Sequence, residues 1–279
     1  MHLLQITWDP IKSIDLGFFE LHFYSVMWIV AFILGFYVTK QIWKNENESS
    51  DSLDSLFIYS VLGIMIGARL GHVIFYQSEL ISEDFFSIFL PFSFKDGIRF
   101  TGFQGLASHG AAIGMIISMY LYNKKVLKKS VMWILDRVVI PVALGAVFVR
   151  IGNFINSEIV GVKTESALGV IFVQNSETFA RHPAQLYEAF CYVFVFLILL
   201  YFYWKTNKAK QQGFLFGLFL VLLWTVRFFV EFLKEPQGDE DLAAFFGNVL
   251  NNGQLLSIPF ILIGLYFMFA YKPKKELNS

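Results

Sequence analysis

Stretches of about twenty mostly apolar residues, the length a helix needs to cross a bilayer, recur along the whole chain. They lie at roughly Leu21–Val38, Leu56–Tyr76, Gly105–Tyr122, Val131–Phe148, Leu186–Tyr203, Phe214–Phe232 and Leu255–Tyr271. Lipid offers the backbone no hydrogen-bond partner, so such stretches are stable there only as helices. The expected fold is an all-α integral membrane protein of seven transmembrane helices, a single polytopic domain over residues 1–279. Phe85–Phe94 is too short for another span, follows Glu83-Asp84 and contains Pro91, so it reads as an interfacial or re-entrant piece. Composition agrees, with 56% hydrophobic, 18% aromatic and only 16% charged residues, where a soluble domain has about a quarter charged. Formal net charge is zero, which leaves no electrostatic footprint for nucleic acid. The single cysteine, Cys191, rules out an intrachain disulfide or a thiolate metal cluster and reads as a small buried hydrophobe. The N-terminus lacks a basic region followed by a short apolar stretch and a small-residue cleavage site, so no cleaved signal peptide is expected.

Basic residues orient the spans. Lys40 and Lys44 follow span one; Lys124, Lys125, Lys128 and Lys129 follow span three; Lys205, Lys208 and Lys210 follow span five; Lys272, Lys274 and Lys275 follow span seven. These twelve of the 22 Lys and Arg share one side of a seven-span topology, the side expected to face the cytoplasm. The N-terminus and the segments 77–104, 149–185 and 233–253 then lie outside, and the C-terminus inside. Segments 77–104 and 149–185 are long. The second holds Gly161–Val173 and Gln174–Pro183, polar, strand-like and turn-rich, and the two are expected to form a small extracytoplasmic head. No internal repeat is visible, which counts against an inverted-repeat transporter.

Ionisable residues inside a span are costly and face a partner or a polar cavity. Span two has Arg69 within Gly63-x-x-x-Gly67-x-x-x-Gly71, a spacing that lets another helix approach closely; Arg69 reads equally as the partner of a carboxylate. Span three opens on Ser108-His109-Gly110. Adjacent Ser and His point apart on a helix and no G-x-S-x-G is present, so a serine hydrolase does not fit. His109 is a candidate proton acceptor or a satisfied structural histidine. Span four runs into Arg150-Ile-Gly-Asn153-Phe-Ile-Asn156-Ser-Glu158-Ile-Val-Gly161, where a continued helix puts Arg150 and Asn153 on one face; a plain polar helix end is the alternative, but the density of polar residues favours a site. In span six, Arg227 and Glu231 are four residues apart, either neutralising each other or presenting an oriented arginine to an anion. No span holds a carboxylate cluster suited to Mg²⁺ and no Cys/His spacing suits zinc. The residues point to an anionic, phosphate-bearing substrate with acyl chains, handled without metal or cofactor.

The stretch Arg150–Glu158 closely resembles the R-x-G-N-F-I-N-G-E signature of bacterial prolipoprotein diacylglyceryl transferases. Other motifs follow in that family's order. Phe23-Tyr24-Ser-Val-Met27 is similar to W-Y-G-L-M, and Gly67-Ala-Arg69-Leu-Gly71 with Phe75-Tyr76 to the G-x-R-x-G element. Ser108-His109-Gly110 resembles H-G-G, and His182-Pro183-x-Gln185-Leu-Tyr187-Glu188 matches H-P-x-Q-L-Y-E. Arg227-Phe-x-x-Glu231-Phe and Gly253-Gln254-x-Leu-Ser257-Ile-Pro259 complete the set.

The resemblance implies transfer of the diacylglyceryl group from phosphatidylglycerol to the lipobox cysteine thiol of a preprolipoprotein signal peptide, with release of glycerol phosphate. It implies an enzyme of the bacterial inner membrane, surrounded by membrane lipids. It further implies His109 as proton acceptor or its organiser, and Arg150 and Arg227 as the groups that bind the phosphate and stabilise it as it leaves. Asn153 and Glu158 would position headgroup or arginine, Glu231 would orient Arg227, and Tyr24 would hydrogen-bond the headgroup; Arg69 and Gly161 also fall on the substrate-binding side. Four positions depart from the family pattern. Leu223 stands where a tyrosine is usual, Ser157 replaces the signature's glycine, Val160 a common tryptophan, and Ala111 the second glycine of H-G-G. Two other readings share these residues. An anionic-lipid transporter or flippase needs the buried arginines but not His109, and a metal-dependent phospholipid-alcohol transferase needs an Asp-rich helix that no span contains.

Overall fold

Hydropathy marks the part of a helix that lies in lipid, while hydrogen bonding carries the helix on into its polar flanks. The computed structural model, which describes residues 6–17, 20–90, 92–95, 97–100, 105, 107–236, 243–244, 247 and 249–272, shows this at most spans. Helix α1 covers Phe23–Asn45, α2 Ser50–Tyr76, α3 the single turn Leu80–Glu83, and α4 Ser108–Tyr122. After these come α5 at Val131–Ile155, α6 at Ala184–Lys205, α7 at Phe214–Val230 and α8 at Asn252–Phe269. Helix α2 starts six residues before the apolar run because Ser49 caps it, its side chain accepting from the Ser52 amide at 3.1 Å. Among the described residues, six helices are long and apolar enough to cross a bilayer. The seventh expected span, α4, has 15 residues, a rise of about 22 Å, and continues as a π-turn over Asn123–Leu127. The chain is a multi-pass helical membrane protein. Pro91, Lys274 and Lys275, used in reading the sequence, lie outside the described residues.

The polarity of α6 is that of a helix in lipid. Phe190, Phe194, Leu197 and Tyr201 form an exposed apolar stripe at helical spacing, while Gln185, Glu188, Tyr192, Val195 and Leu199 are buried on the opposite face. A soluble protein places these faces the other way round.

Two compact units divide the chain: Lys40–Val131, and Met1–Thr39 with Met132–Ser279. In the first, α2 and α4 meet backbone to backbone. A Cβ at Gly67 would run into the Gly110 carbonyl, one at Gly114 into the Gly63 carbonyl, and one at Gly71 would come within 2.6 Å of Gly110 Cα. Ser118 completes the α4 stripe and its hydroxyl donates to the Tyr59 carbonyl. The partner that the Gly63-Gly67-Gly71 spacing calls for is therefore α4, through Gly110, Gly114 and Ser118. The segment after α2 folds as α3, a 3₁₀ turn at Phe85–Ile88 and a hairpin of β4 (Phe92–Ser93) with β5 (Arg99–Phe100). Asp84 anchors it, accepting from the Ser93 hydroxyl at 2.8 Å and the Phe94 amide at 2.9 Å. Burial opposes the Asp84 carboxylate, but the donors of Phe94, Ser93, Ser87 and Lys95 outweigh it and hold its pKa below the usual aspartate value.

In the second unit, α6 packs on α7 and α7 on α8. Gly217 and Gly264 face each other across the α7–α8 contact. Asp136 of α5 is fully buried and accepts from the amides of Gly213 at 2.7 Å and Phe216 at 2.9 Å, so α5 supplies the N-terminal cap that α7 lacks in its own sequence. Beyond the end of α5 the 149–185 segment folds with an unexpected contributor. Strand β1 (Ile6–Trp8) pairs in parallel with β6 (Val170–Phe172). Trp8 seals a small core of Phe154, Val160, Val170 and Phe172, its indole N–H donating to the Phe154 carbonyl at 3.1 Å. A further hairpin, β2 (Ser13–Asp15) with β3 (Glu20–His22), leads into α1. Arg181 ties these loops together through Glu177 at 2.7 Å, Glu235 at 3.0 Å and the Gly161 carbonyl at 3.1 Å.

Candidate active site

The charged cluster grows from the last turn of α5. Because that helix continues to Ile155, Arg150 and Asn153 do share a face, and Arg150 Nη1 donates to Asn153 Oδ1 at 3.3 Å. Asn153 extends the chain of hydrogen bonds, its Nδ2 donating to Glu158 Oε2 at 3.2 Å. Glu158 is itself exposed and takes a second bond from Asn156 Nδ2 at 2.6 Å. The turn that brings it back is tight. Ser157 and Ile159 have φ of 58° and 57°, the left-handed region that suits glycine. The signature's glycine is thus a conformational requirement, and Ser157 meets it under strain, with its buried hydroxyl lacking a hydrogen-bond partner among the described residues.

Behind Arg150 stands Glu188 of α6, completely buried, with Oε2 2.7 Å from Arg150 Nε. Its other oxygen lies 3.1 Å from Lys234 Nζ, and the same ammonium is 3.2 Å from Glu231 Oε2. Lys234 is only 5% exposed. It is held there by pairing of 233–235 with 160–162, through Val162 N to Leu233 O at 2.9 Å and Glu235 N to Val160 O at 3.2 Å. Gly161 makes that approach possible, since a Cβ there would sit 2.5 Å from the Leu233 carbonyl oxygen. Gln185 closes the floor by donating to the Glu158 carbonyl. Tyr24 of α1 lays its ring on Gly152, where a Cβ would come within 2.7 Å of it.

Arg227 differs from these. Its guanidinium lies over the Trp224 ring at 5.6 Å, and its buried Nε has no hydrogen-bond partner among the described residues. Trp224 is fixed in turn by parallel stacking on Phe260 of α8 at 4.2 Å. The expected Arg227–Glu231 pair does not form: α7 ends at Val230, and Glu231 points its carboxylate to Lys234 instead. The side chain faces Gly253, where a Cβ would overlap the carboxylate. Tyr192 of α6 interacts electrostatically with Arg150, Arg227 and Glu188.

The other unit holds Arg69 and His109. Arg69 is buried and donates to three backbone carbonyls, Ile88 at 3.2 Å, Ser87 at 3.0 Å and Gly105 at 3.4 Å. Through these bonds it clamps the segment after α2 onto that helix. His109 is exposed in the first turn of α4, edge-on to Phe75 at 4.9 Å and beside Tyr76 at 6.0 Å. Gly105 has φ of 78° and a Cβ there would run into the His72 ring; α4 therefore begins three residues later than the apolar run.

Sequence reasoning left Glu188 without a role and passed over Lys234. The signal for Glu188 was present: it is the one charged residue between Ala184 and Trp204, deep in an apolar span. Lys234 carries no such signal, because only the backbone pairing with Gly161 buries it.

In chemical terms the second unit gathers three cations, Arg150, Arg227 and Lys234, against two buried carboxylates, Glu188 and Glu231. Among the described residues no group of three His, Cys, Asp or Glu stands ready for a metal. The arrangement suits a singly charged phosphodiester, with one arginine braced and one open.

Comparison with known proteins agrees with the ordered motifs. Residues 12–270 match the family model described as prolipoprotein diacylglyceryl transferase. Similar curated proteins include the phosphatidylglycerol–prolipoprotein diacylglyceryl transferase of Bacteroides fragilis, 39% identical with 99% of each chain covered. That of Tolumonas auensis is 38% identical over 96% of this chain and 97% of its own, and that of Porphyromonas gingivalis 36% over 94% and 93%. With the motifs in order, the model matched from one end of the membrane domain to the other and relatives aligned at full length, the chain belongs to the prolipoprotein diacylglyceryl transferase family.

Proposed function

We propose that this protein transfers the diacylglyceryl group of phosphatidylglycerol to the lipobox cysteine of preprolipoproteins in the bacterial inner membrane, working on its outer face. The thiol loses its proton and the thiolate sulfur attacks the terminal glycerol carbon of the diacylglyceryl moiety. The carbon–oxygen bond to phosphate breaks, its electron pair stays on the phosphate oxygen, and glycerol phosphate leaves as the thioether forms. Charge therefore grows on the phosphate in the transition state, and fixed cations aimed there lower the barrier.

Arg227, open on its Trp224 platform, is assigned to the phosphate, with Arg150 beside it oriented by Glu188 and Asn153. Arginine suits this role because its planar fork meets two phosphate oxygens at once. Glu158 and Tyr24 are assigned to the glycerol headgroup. Gly161 serves by letting the 233–235 strand close, and Arg69 by holding the outer segment on α2. His109 is assigned as the proton acceptor, its exposed position giving a substrate thiol access.

The observation that carries this reading is the guanidinium of Arg227, carried over the Trp224 ring and left without a protein carboxylate among the described residues. The test is purified protein with phosphatidylglycerol and a lipobox-cysteine peptide, followed by mass spectrometry. A diacylglyceryl mass gain on the cysteine is expected. Arg227→Ala is expected to lower turnover by about 10²-fold or more with the fold retained, and His109→Asn to lower it strongly. Absence of the adduct under conditions where a Bacteroides fragilis relative forms it would leave lipid transport as the better reading.

A further inference from the structure

Glu231 sits one helical turn beyond Arg227, the spacing at which glutamate and arginine pair on a helix, yet its carboxylate is engaged elsewhere. The competitor is Lys234, whose ammonium lies 3.2 Å from Glu231 and 3.1 Å from Glu188. Three features keep it there. The 233–235 strand is pinned to 160–162 by two backbone hydrogen bonds, Gly253 packs against the Glu231 carboxylate, and Asn251 Nδ2 donates to the Glu231 carbonyl at 3.2 Å. Both carboxylates are buried, where a charge without a counter-ion is strongly unfavourable. Without Lys234 each would seek the nearest remaining cation. For Glu231 the spacing of one helical turn offers Arg227, and Glu188 would rely on Arg150 alone.

We propose that Lys234 is a positioning residue that occupies Glu188 and Glu231 together and so keeps Arg227 free for the phosphate. It need not touch the substrate. Its charge offsets half of that of the two carboxylates, and together with Arg150 and Arg227 these five groups retain one net positive charge, the complement of a phosphodiester monoanion. This deepens the transferase reading and rests on it for its kinetic test, but the binding consequence stands apart from the chemistry.

The experiment compares wild type, Lys234→Met, Glu231→Gln/Lys234→Met and Lys234→Arg in nanodiscs. Initial rates give KM and kcat for phosphatidylglycerol, and a fluorescent phosphatidylglycerol gives Kd. Lys234→Met is expected to raise KM and Kd by about tenfold, the effect of removing one charge-assisted hydrogen bond to the phosphate, because Glu231 turns to Arg227. The double variant removes the competing carboxylate as well and is expected to return both values to within about threefold of wild type, within the reach of one ordinary hydrogen bond. Lys234→Arg, which keeps the charge, is expected to stay near wild type. If Lys234 were only a structural brace, the double variant would be as damaged as the single one, and that result overturns the proposal. An unchanged KM and Kd in Lys234→Met also overturns it. Should Lys234→Met not fold, the double variant decides alone, with tight binding in favour and a tenfold weakening against. If wild type binds the lipid but transfers nothing, the transferase reading fails while the Kd series still tests Lys234.

Discussion

At the scale of single residues, the informative positions are those where a side chain sits against its ordinary preference. Ser157 holds φ of 58°, a conformation that costs an L-residue about 1–2 kcal/mol, and buries a hydroxyl with no partner among the described residues. Glycine removes both terms but gives back about 0.5–1 kcal/mol in chain entropy. Ser157→Gly is therefore expected to stabilise the protein slightly and to leave the Arg150–Asn153–Glu158 relay intact. Thermal unfolding in detergent checks it: Tm should rise by a few degrees, and a clear fall would show that the hydroxyl contributes more than the turn costs. Arg150 and Arg227 illustrate a related point. The same residue type is braced by Glu188 in one case and carried on an aromatic ring in the other, and only the second is expected to tolerate truncation without loss of fold.

At the scale of elements, close helix packing decides what may be substituted. In lipid, two helices gain little from hydrophobic burial and associate through contact between small residues. At Gly67 the obstacle to any side chain is the Gly110 carbonyl, which is backbone and cannot rotate away. Gly67→Val is expected to separate α2 from α4 and destabilise the protein by at least about 1–3 kcal/mol, the usual range for overpacking. The prediction fails if the variant keeps the wild-type Tm and the wild-type rate. Helix ends tell a complementary story. The spans were legible in sequence because twenty apolar residues leave few alternatives, but their termini were not. Ser49 extends α2, Asp136 of α5 caps α7, and α5 runs on to Ile155; each depends on a hydrogen-bond partner rather than on hydropathy. The Gly63-Gly67-Gly71 spacing announced a close helix contact and left its partner open.

For the whole molecule, the claim most exposed to test is orientation. Lysine placement predicts that the loops after α1, α4 and α6 face the cytoplasm. Cys191 is the single cysteine, so a Cys191→Ala background allows new cysteines to report sidedness. Leu168→Cys, in an exposed loop of the 149–185 segment, is expected to react with a membrane-impermeant maleimide in intact cells, and Lys208→Cys only after lysis. The reverse pattern would invert the topology and remove the outer-face assignment of the site.

Taken alone, the sequence determined the membrane class, the spans and their expected sidedness, and, through the ordered motifs, the family. Those properties are local: a hydropathy run, a charge count and a motif each need only neighbouring residues. Tertiary structure decided which charges meet. It drew strand β1 onto β6, buried Lys234 beside Gly161, gave it both Glu188 and Glu231, and left Arg227 without a carboxylate among the described residues. The physical reason is that an ion pair is chosen by distance and desolvation, and those depend on α6, α7 and the 160–162 segment arriving at one place. An i, i+4 spacing offers a partner, and packing chooses among those within reach.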